Sequence, residues 1–190
     1  MTHSAPKLLV IGASAGGLYA LVDIFSELTR SSIPIIVTKH IGPGGGDATQ
    51  QVLSEKSRLP VQLALDKTKL KAGHVYLAPS GYHLLVEAKG ETSLSMDEPV
   101  MHCRPSVDVL FQSAAPIYGE GLVSLILTGA NSDGAEGTST VKAYGGRTIA
   151  QNPRSAEMAV MPKAAIDTGD VDDVVDLAKL PAFLQRVLNE

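Results

Sequence analysis

Three residues stand where a serine hydrolase would need them. Ser14 lies in Gly12-Ala13-Ser14-Ala15-Gly16, a G-x-S-x-G pattern between an apolar run and a helical one. Small residues there let the chain turn sharply and leave the hydroxyl accessible. A helix opening after Gly16 would offer free backbone N–H groups to a developing negative oxygen. His40 directly follows the apolar run Ile35-Ile36-Val37 and could take the serine proton as general base. Asp133 sits in the polar run Thr128-Gly129-Ala130-Asn131-Ser132-Asp133-Gly134 and could orient the imidazole and fix its tautomer.

Each feature also has a plainer reading. The glycine turn could cradle an anion or be a simple tight turn. His40 could cap a loop carbonyl, and Asp133 could be the N-cap of the helix it opens. The order Ser, His, Asp, with the serine so early, differs from the Ser, acid, His order of α/β-hydrolases. It would be a separate arrangement of the same geometry.

Other chemistries fit less well. A dinucleotide fingerprint needs glycine where Ser14 stands, and an acidic residue where the second strand ends in Val37-Thr38-Lys39-His40. No Gly-Lys-Ser/Thr triplet and no H-E-x-x-H occurs. The single cysteine, Cys103, excludes an internal disulfide and a cysteine metal cluster. It reads as a small buried hydrophobe rather than a reactive thiol. No cofactor and no metal ion are expected, and His74 and His83 are expected to be peripheral.

The elements that must position these residues follow from hydrophobic periodicity. Leu8 to Ile11 reads as a buried strand, Leu18, Leu21, Val22, Phe25 and Leu28 as one face of a helix, and Ile35 to Val37 as a second strand. This βαβ unit implies a largely parallel sheet covered on both faces. Residues 42–46 are expected to form a glycine-rich loop, followed by a helix over 47–57. Short strands are expected at 61–65, 74–78, 82–86 and 93–96, with 74–78 and 82–86 joined as a hairpin around Pro79-Ser80-Gly81. Pro105 is expected in the first turn of a helix carrying Val107, Leu110, Phe111, Ala114 and Ala115. Leu122 to Leu127 is the clearest strand, a helix follows to about Tyr144, Arg147 to Ala150 is a further strand, and 177–188 is helical. The expected class is α/β: a doubly wound, Rossmann-like, mostly parallel sheet with a small antiparallel insertion. Ligands in such folds bind beyond the carboxyl ends of the strands, where Ser14, His40 and Asp133 fall.

Composition agrees with a globular chain. Of 190 residues, 44 % are hydrophobic and 19 % charged, and one domain over 1–190 with a loose start at 1–6 is expected. A formal charge of -4, no basic run, three Phe, five Tyr and no Trp argue against nucleic-acid binding. No signal-peptide series and no membrane-length apolar stretch is present, so a cytoplasmic protein is expected. No oligomer interface is evident, and a monomer is the default.

Several stretches together resemble the catalytic domain of the CheB-type chemotaxis protein-glutamate methylesterases. They are IGASAGG at 11–17, His40, KAGHVYLAPSGYHL at 71–84, RPSVDVLFQSAA at 104–115, LILTGANSDGAEG at 125–137, GGRTIAQN at 145–152 and MPKAAIDTG at 161–169. The resemblance implies Ser14, His40 and Asp133 as the catalytic residues and no cofactor. It implies hydrolysis of glutamate methyl esters on the cytoplasmic helices of chemoreceptors, with release of methanol, and deamidation of receptor glutamines. Backbone N–H groups near Ala15 and Ala130 are the oxyanion candidates, and Arg104 and Asn131 are substrate-groove candidates.

The chain departs from the family pattern in four places. The receiver domain that usually precedes this domain has no counterpart before Leu8. Ala130 and Asn131 replace the usual Met and Gly, and Cys103 replaces a histidine before Arg104-Pro105-Ser106-Val107-Asp108. His40-Ile41-Gly42-Pro43 replaces the common His-Met-Pro. The alternatives are a related hydrolase acting on another signalling protein and a catalytically weak receptor-binding module.

Overall fold

The computed structural model describes residues 7–40, 46–88 and 90–189. The expectations for residues 1–6 and for the glycine-rich run at 42–45 lie outside these residues.

Nine strands and six helices are formed by the described residues. In chain order they are β1 (Leu8–Ala13), α1 (Gly17–Glu27), β2 (Ile35–Lys39), α2 (Gly46–Lys56), β3 (Val61–Leu63), β4 (Val75–Leu77), β5 (His83–Glu87), β6 (Glu91–Ser95), α3 (Val107–Tyr118), β7 (Leu122–Ile126), α4 (Ala135–Ala143), β8 (Arg147–Gln151), α5 (Val160–Asp167), β9 (Asp173–Val175) and α6 (Leu180–Val187). Seven strands make one sheet in the order β3-β4-β2-β1-β7-β8-β9, and β5 and β6 form a separate pair. Every pairing in the large sheet is parallel, and β5–β6 is antiparallel. The doubly wound α/β class with a small antiparallel insertion is therefore correct.

Alternate residues of β1 feed two cores. Leu9 and Ile11 face a cluster with Leu21, Ile24, Phe25 and Leu184, and Leu8 and Val10 face one with Leu110, Phe111, Ala114 and Val141. A strand covered on both sides reads as an unbroken apolar run, which is why β1, β2 and β7 are so clear in the sequence.

Two expectations are corrected. The strand at 74–78 is not part of an antiparallel pair: β4, like β3, joins the main sheet, with Val75 paired to Ile35 and to Val61. No hairpin forms across Pro79-Ser80-Gly81, because β4 uses both of its edges in parallel pairing and the antiparallel partner of β5 is β6. Pro105 is not in the first turn of α3. It precedes Ser106, which caps that helix by accepting from the Val109 N–H. The sequence reading also missed α5 and β9, which are short and weakly periodic.

β1 lies at the centre. The chain first builds one side, passing from β2 to the edge strand β3 and then to β4 between them, and returns to β7 on the other side. The strand order thus reverses between β1 and β7, the place where such sheets open a crevice at their carboxyl ends.

Candidate active site

Three adjacent strands deliver the candidate residues to this crevice. Ser14 follows β1, His40 follows β2, and Asp133 lies on the loop after β7. Ala13 pairs with Lys39, and Gly12 pairs with both Thr38 and Ile126, so the three exits are level. Hydrogen bonds prolong the ladders beyond the strands. The His40 N–H donates to Ala13 O at 2.9 Å and the Ser14 N–H to Thr128 O at 3.0 Å. The Thr128 hydroxyl donates to Ala15 O at 2.9 Å.

Glycine is required at two positions of the β1 exit. Gly16, the residue before α1, has φ +74°, so the left-handed step of the turn falls on glycine and Ser14 keeps an ordinary backbone. At Gly12 a Cβ would lie 2.3 Å from a Val107 methyl, so only glycine lets the start of α3 approach β1.

The side chains form a continuous relay. Ser14 Oγ lies 3.1 Å from His40 Nδ1, and His40 Nε2 lies 2.6 Å from Asp133 Oδ2. With the Nε2 proton donated to Asp133, the Nδ1 lone pair faces the serine hydroxyl. The imidazole is thus turned so that Nδ1, rather than Nε2, addresses Ser14.

Asp133 is fully buried and does not cap α4, whose first residue is preceded by Gly134 without a side-chain cap. It sits instead on the amino end of α3. Its Oδ2 accepts from the Val107 N–H at 2.7 Å, and its Oδ1 accepts from the Ser106 hydroxyl at 2.8 Å and the Asp108 N–H at 2.9 Å. Burial pushes this carboxyl up. The His40 hydrogen bond and the Asp108 and Val107 N–H groups outweigh that push and hold it below the usual carboxylate range. The positive end of the α3 dipole acts in the same direction.

Ala15 and Ala130 are exposed beside Ser14, and among the described residues neither N–H donates to a protein acceptor. Asn131 donates from Nδ2 to Cys103 Sγ at 3.3 Å and accepts the Asp133 N–H on Oδ1 at 3.3 Å. Arg104 is half-buried, and its guanidinium donates to Met96 O at 2.9 Å and Asp97 O at 3.1 Å, so it braces the segment leading to the site. Lys39 lies beside His40 and donates to its carbonyl at 3.3 Å, and burial pulls its ammonium down.

Three arrangements escaped the sequence reading. His83 is not peripheral: it is buried behind the site, its Nδ1 accepting from the Ser106 N–H at 3.2 Å and its Nε2 donating to Glu98 O at 3.1 Å. The donors around Asp133 come from the Ser106-Val107-Asp108 run. The available signal was that run's place at a helix start, where free N–H groups attract a carboxylate. Cys103 lies at the site itself, with Sγ 3.6 Å from His40 Nδ1. Two left-handed residues, Met101 (φ +49°) and His102 (φ +64°), turn the chain so that Val100 and Cys103 bond to each other and the thiol reaches the imidazole. Ligand spacing in the sequence suggested no metal set. The fold nonetheless brings metal-ligating atoms of His40, Cys103 and Asp133 within 4.8 Å of one another, from segments far apart in the chain.

The same chain pattern is found in known proteins. A "Putative protein-glutamate methylesterase/protein-glutamine glutaminase" of Leptospira interrogans is 41 % identical over 182 residues, covering 95 % of this chain and 94 % of that protein. A protein-glutamate methylesterase/protein-glutamine glutaminase of Clostridium acetobutylicum is 38 % identical over 172 residues, which span 90 % of this chain and 50 % of the relative. The crystal structure of the Thermotoga maritima CheB methylesterase catalytic domain superposes with a TM-score of 0.92 at 34 % identity, covering 97 % of this chain and 100 % of that one. The CheB methylesterase family model matches residues 9–184, from the first strand to the last helix, and with that span the chain belongs to the CheB methylesterase family.

Proposed function

We propose that Ser14, His40 and Asp133 are the nucleophile, the general base and the orienting carboxylate of a protein-glutamate methylesterase. The carrying observation is the unbroken relay, 3.1 Å from Ser14 Oγ to His40 Nδ1 and 2.6 Å from His40 Nε2 to Asp133. His40 Nδ1 takes the serine proton as Oγ attacks the ester carbonyl. The oxyanion is held by the N–H groups of Ala15 and Ala130, which have no competing acceptor among the described residues. Nδ1 then passes its proton to the leaving methoxide, methanol departs, and a glutamyl ester of Ser14 remains. Water, losing its proton to Nδ1, attacks that ester. The free glutamate leaves and the proton returns to Ser14. Asp133 holds the Nε2 proton throughout and stabilises the imidazolium.

The substrate class is the methylated glutamates of chemoreceptor helices, and the same acyl-transfer chemistry releases ammonia from receptor glutamines. The edge formed by exposed Ala15 and Ala130 and half-buried Asn131 would receive the receptor segment, while Arg104 contributes by bracing that edge. A single copy of the chain carries every group the mechanism uses. The test is methanol release from methylated receptor membranes by the intact protein and by Ser14→Ala. The expected loss in the variant is on the order of 10⁴ or more. Equal release by both would overturn the assignment.

A further inference from the structure

Cys103 takes no part in that mechanism, yet its sulfur touches the base. We propose that His40 Nδ1 and Cys103 Sγ, with Ser14 Oγ as a third donor, bind a thiophilic divalent cation of the Zn²⁺ type, and that the bound ion switches the hydrolase off. The switching half rests on the catalytic reading above; the binding half stands on geometry alone.

Zn–N of about 2.0 Å and Zn–S of about 2.3 Å at a tetrahedral angle place the two ligand atoms about 3.5 Å apart. His40 Nδ1 and Cys103 Sγ are 3.6 Å apart. Two Zn ligands of about 2.0 Å would lie about 3.3 Å apart, close to the 3.1 Å between Nδ1 and Ser14 Oγ. A water would complete the tetrahedron, since Ala15 and Ala130 beside the site are exposed.

The surroundings also suit a metal ligand. A histidine that binds a metal commonly donates its other ring N–H to a carboxylate, which fixes the tautomer and raises ligand basicity. Asp133 does this for His40 at 2.6 Å. The arrangement that would make Nδ1 a base therefore also makes it a ligand. Burial and the Asp133 charge push the Cys103 thiol up, against the Asn131 amide N–H 3.3 Å from the sulfur, so it is the cation that must draw off the thiol proton. On binding, the thiol proton passes to solvent, a metal–sulfur bond forms, and the Nδ1 lone pair is consumed. Ser14 then has no acceptor for its proton, and acylation stops.

Cd²⁺ is the probe for binding, through its ultraviolet thiolate-to-metal charge-transfer band. Zn²⁺ is the probe for inhibition, each variant being compared with its own metal-free rate. The intact protein and Ser14→Ala should both show the band, and Cys103→Ala and Cys103→Ser should not. Half-inhibition by Zn²⁺ should need at least about 10-fold more ion in either cysteine variant, the least expected when a site loses one of its supports. Absence of the band in the intact protein, or equal Zn²⁺ sensitivity with and without the thiol, would overturn the proposal. A band in a protein that releases no methanol would leave the metal site standing and sink the catalytic reading alone.

Discussion

Asp108 and Asp133 each satisfy the start of the other's helix. The Asp108 N–H, in the first turn of α3, donates to Asp133 at 2.9 Å, and the Asp108 carboxylate accepts the N–H groups of Gly134 at 2.9 Å and Gly137 at 2.7 Å, at the start of α4. The exchange locks the Asp133 loop against α3. It also places two buried carboxyls side by side, and their environments push them apart. Asp133 has the imidazole and is held low. Burial pushes Asp108 up to about 7, against the pull of the Gly137 N–H, and the nearby Asp133 charge adds to the rise.

Asp108 makes the stability of the fold depend on pH. An unfolded aspartate titrates near about 3.9, so between roughly pH 4 and 7 the folded chain holds a proton on Asp108 that the unfolded chain has lost. This group's contribution to stability is therefore full at the acid end, falls as pH rises through that window, and is flat above it. The limiting slope is about 1.4 kcal/mol per pH unit. In Asp108→Asn an amide oxygen can still accept both N–H groups and nothing titrates. Urea unfolding at pH 5 and pH 8 should show the variant gaining on the parent at the higher pH. A difference that does not change with pH would count against the raised value.

Ser106 is fully buried and gives its hydroxyl proton to Asp133 at 2.8 Å. Ser106→Ala removes one of four donors to a buried charge and the cap of α3. The expected cost is about 1–3 kcal/mol in denaturant unfolding. Catalysis should fall far less than in a variant of Asp133, since His40, Val107 and Asp108 still hold that carboxylate. A rate loss as large as that of Asp133→Asn would mean that the hydroxyl does more than position.

Gly129 is the close-approach point behind Ser14. A Cβ there would meet Met161 Sδ at 2.3 Å, Met161 Cβ at 2.8 Å and Ser14 Cβ at 2.9 Å. The sulfur can swing away, but the two Cβ atoms are tied to backbone, so Gly129→Ala must shift the loop that carries Ala130. Misplacement of about 1 Å costs on the order of 10²-fold in rate. Gly169→Ala is the control. It accepts strain at φ +81° but meets nothing within 4 Å, at the turn before β9. It should lose stability and keep its rate, while Gly129→Ala loses rate. Equal rates for the two variants would argue against the packing explanation.

The sequence carried the fold's central strands because burial on both faces leaves unbroken apolar runs, as in β1 and β7. Local signals misled in the middle third. Pro79-Ser80-Gly81 is good turn chemistry, but it cannot reveal that β4 pairs with β2 and β3 across long stretches of chain. The strand ends put Ser14, His40 and Asp133 at one edge from topology alone, since neighbouring parallel strands finish level. What lay beneath them was not legible. The seating of Asp133 on α3 rather than α4 depends on how two helices meet over Gly12. The reach of Cys103 to His40 depends on two left-handed residues, Met101 and His102, neither of which is the glycine that would have announced the turn.

Asp133→Asn separates charge from shape. The amide that replaces the carboxylate has one acceptor oxygen, whereas the present side chain accepts from His40, Ser106, Val107 and Asp108 on two. If the amide oxygen faces the helix start at Oδ1, the NH₂ group points at both the Val107 N–H and His40 Nε2. Two donors then confront a donor, and Nε2 must surrender its proton and accept. The imidazole proton moves to Nδ1, where it faces Ser14, and the nucleophile loses its base. The expected rate loss is on the order of 10⁴. Stability should fall as well, because the Val107 N–H is left buried without an acceptor, at about 1–3 kcal/mol. Methanol release and urea unfolding on one preparation read the two effects separately. Retained activity in a destabilised variant would show that Asp133 serves only the join between α3 and α4.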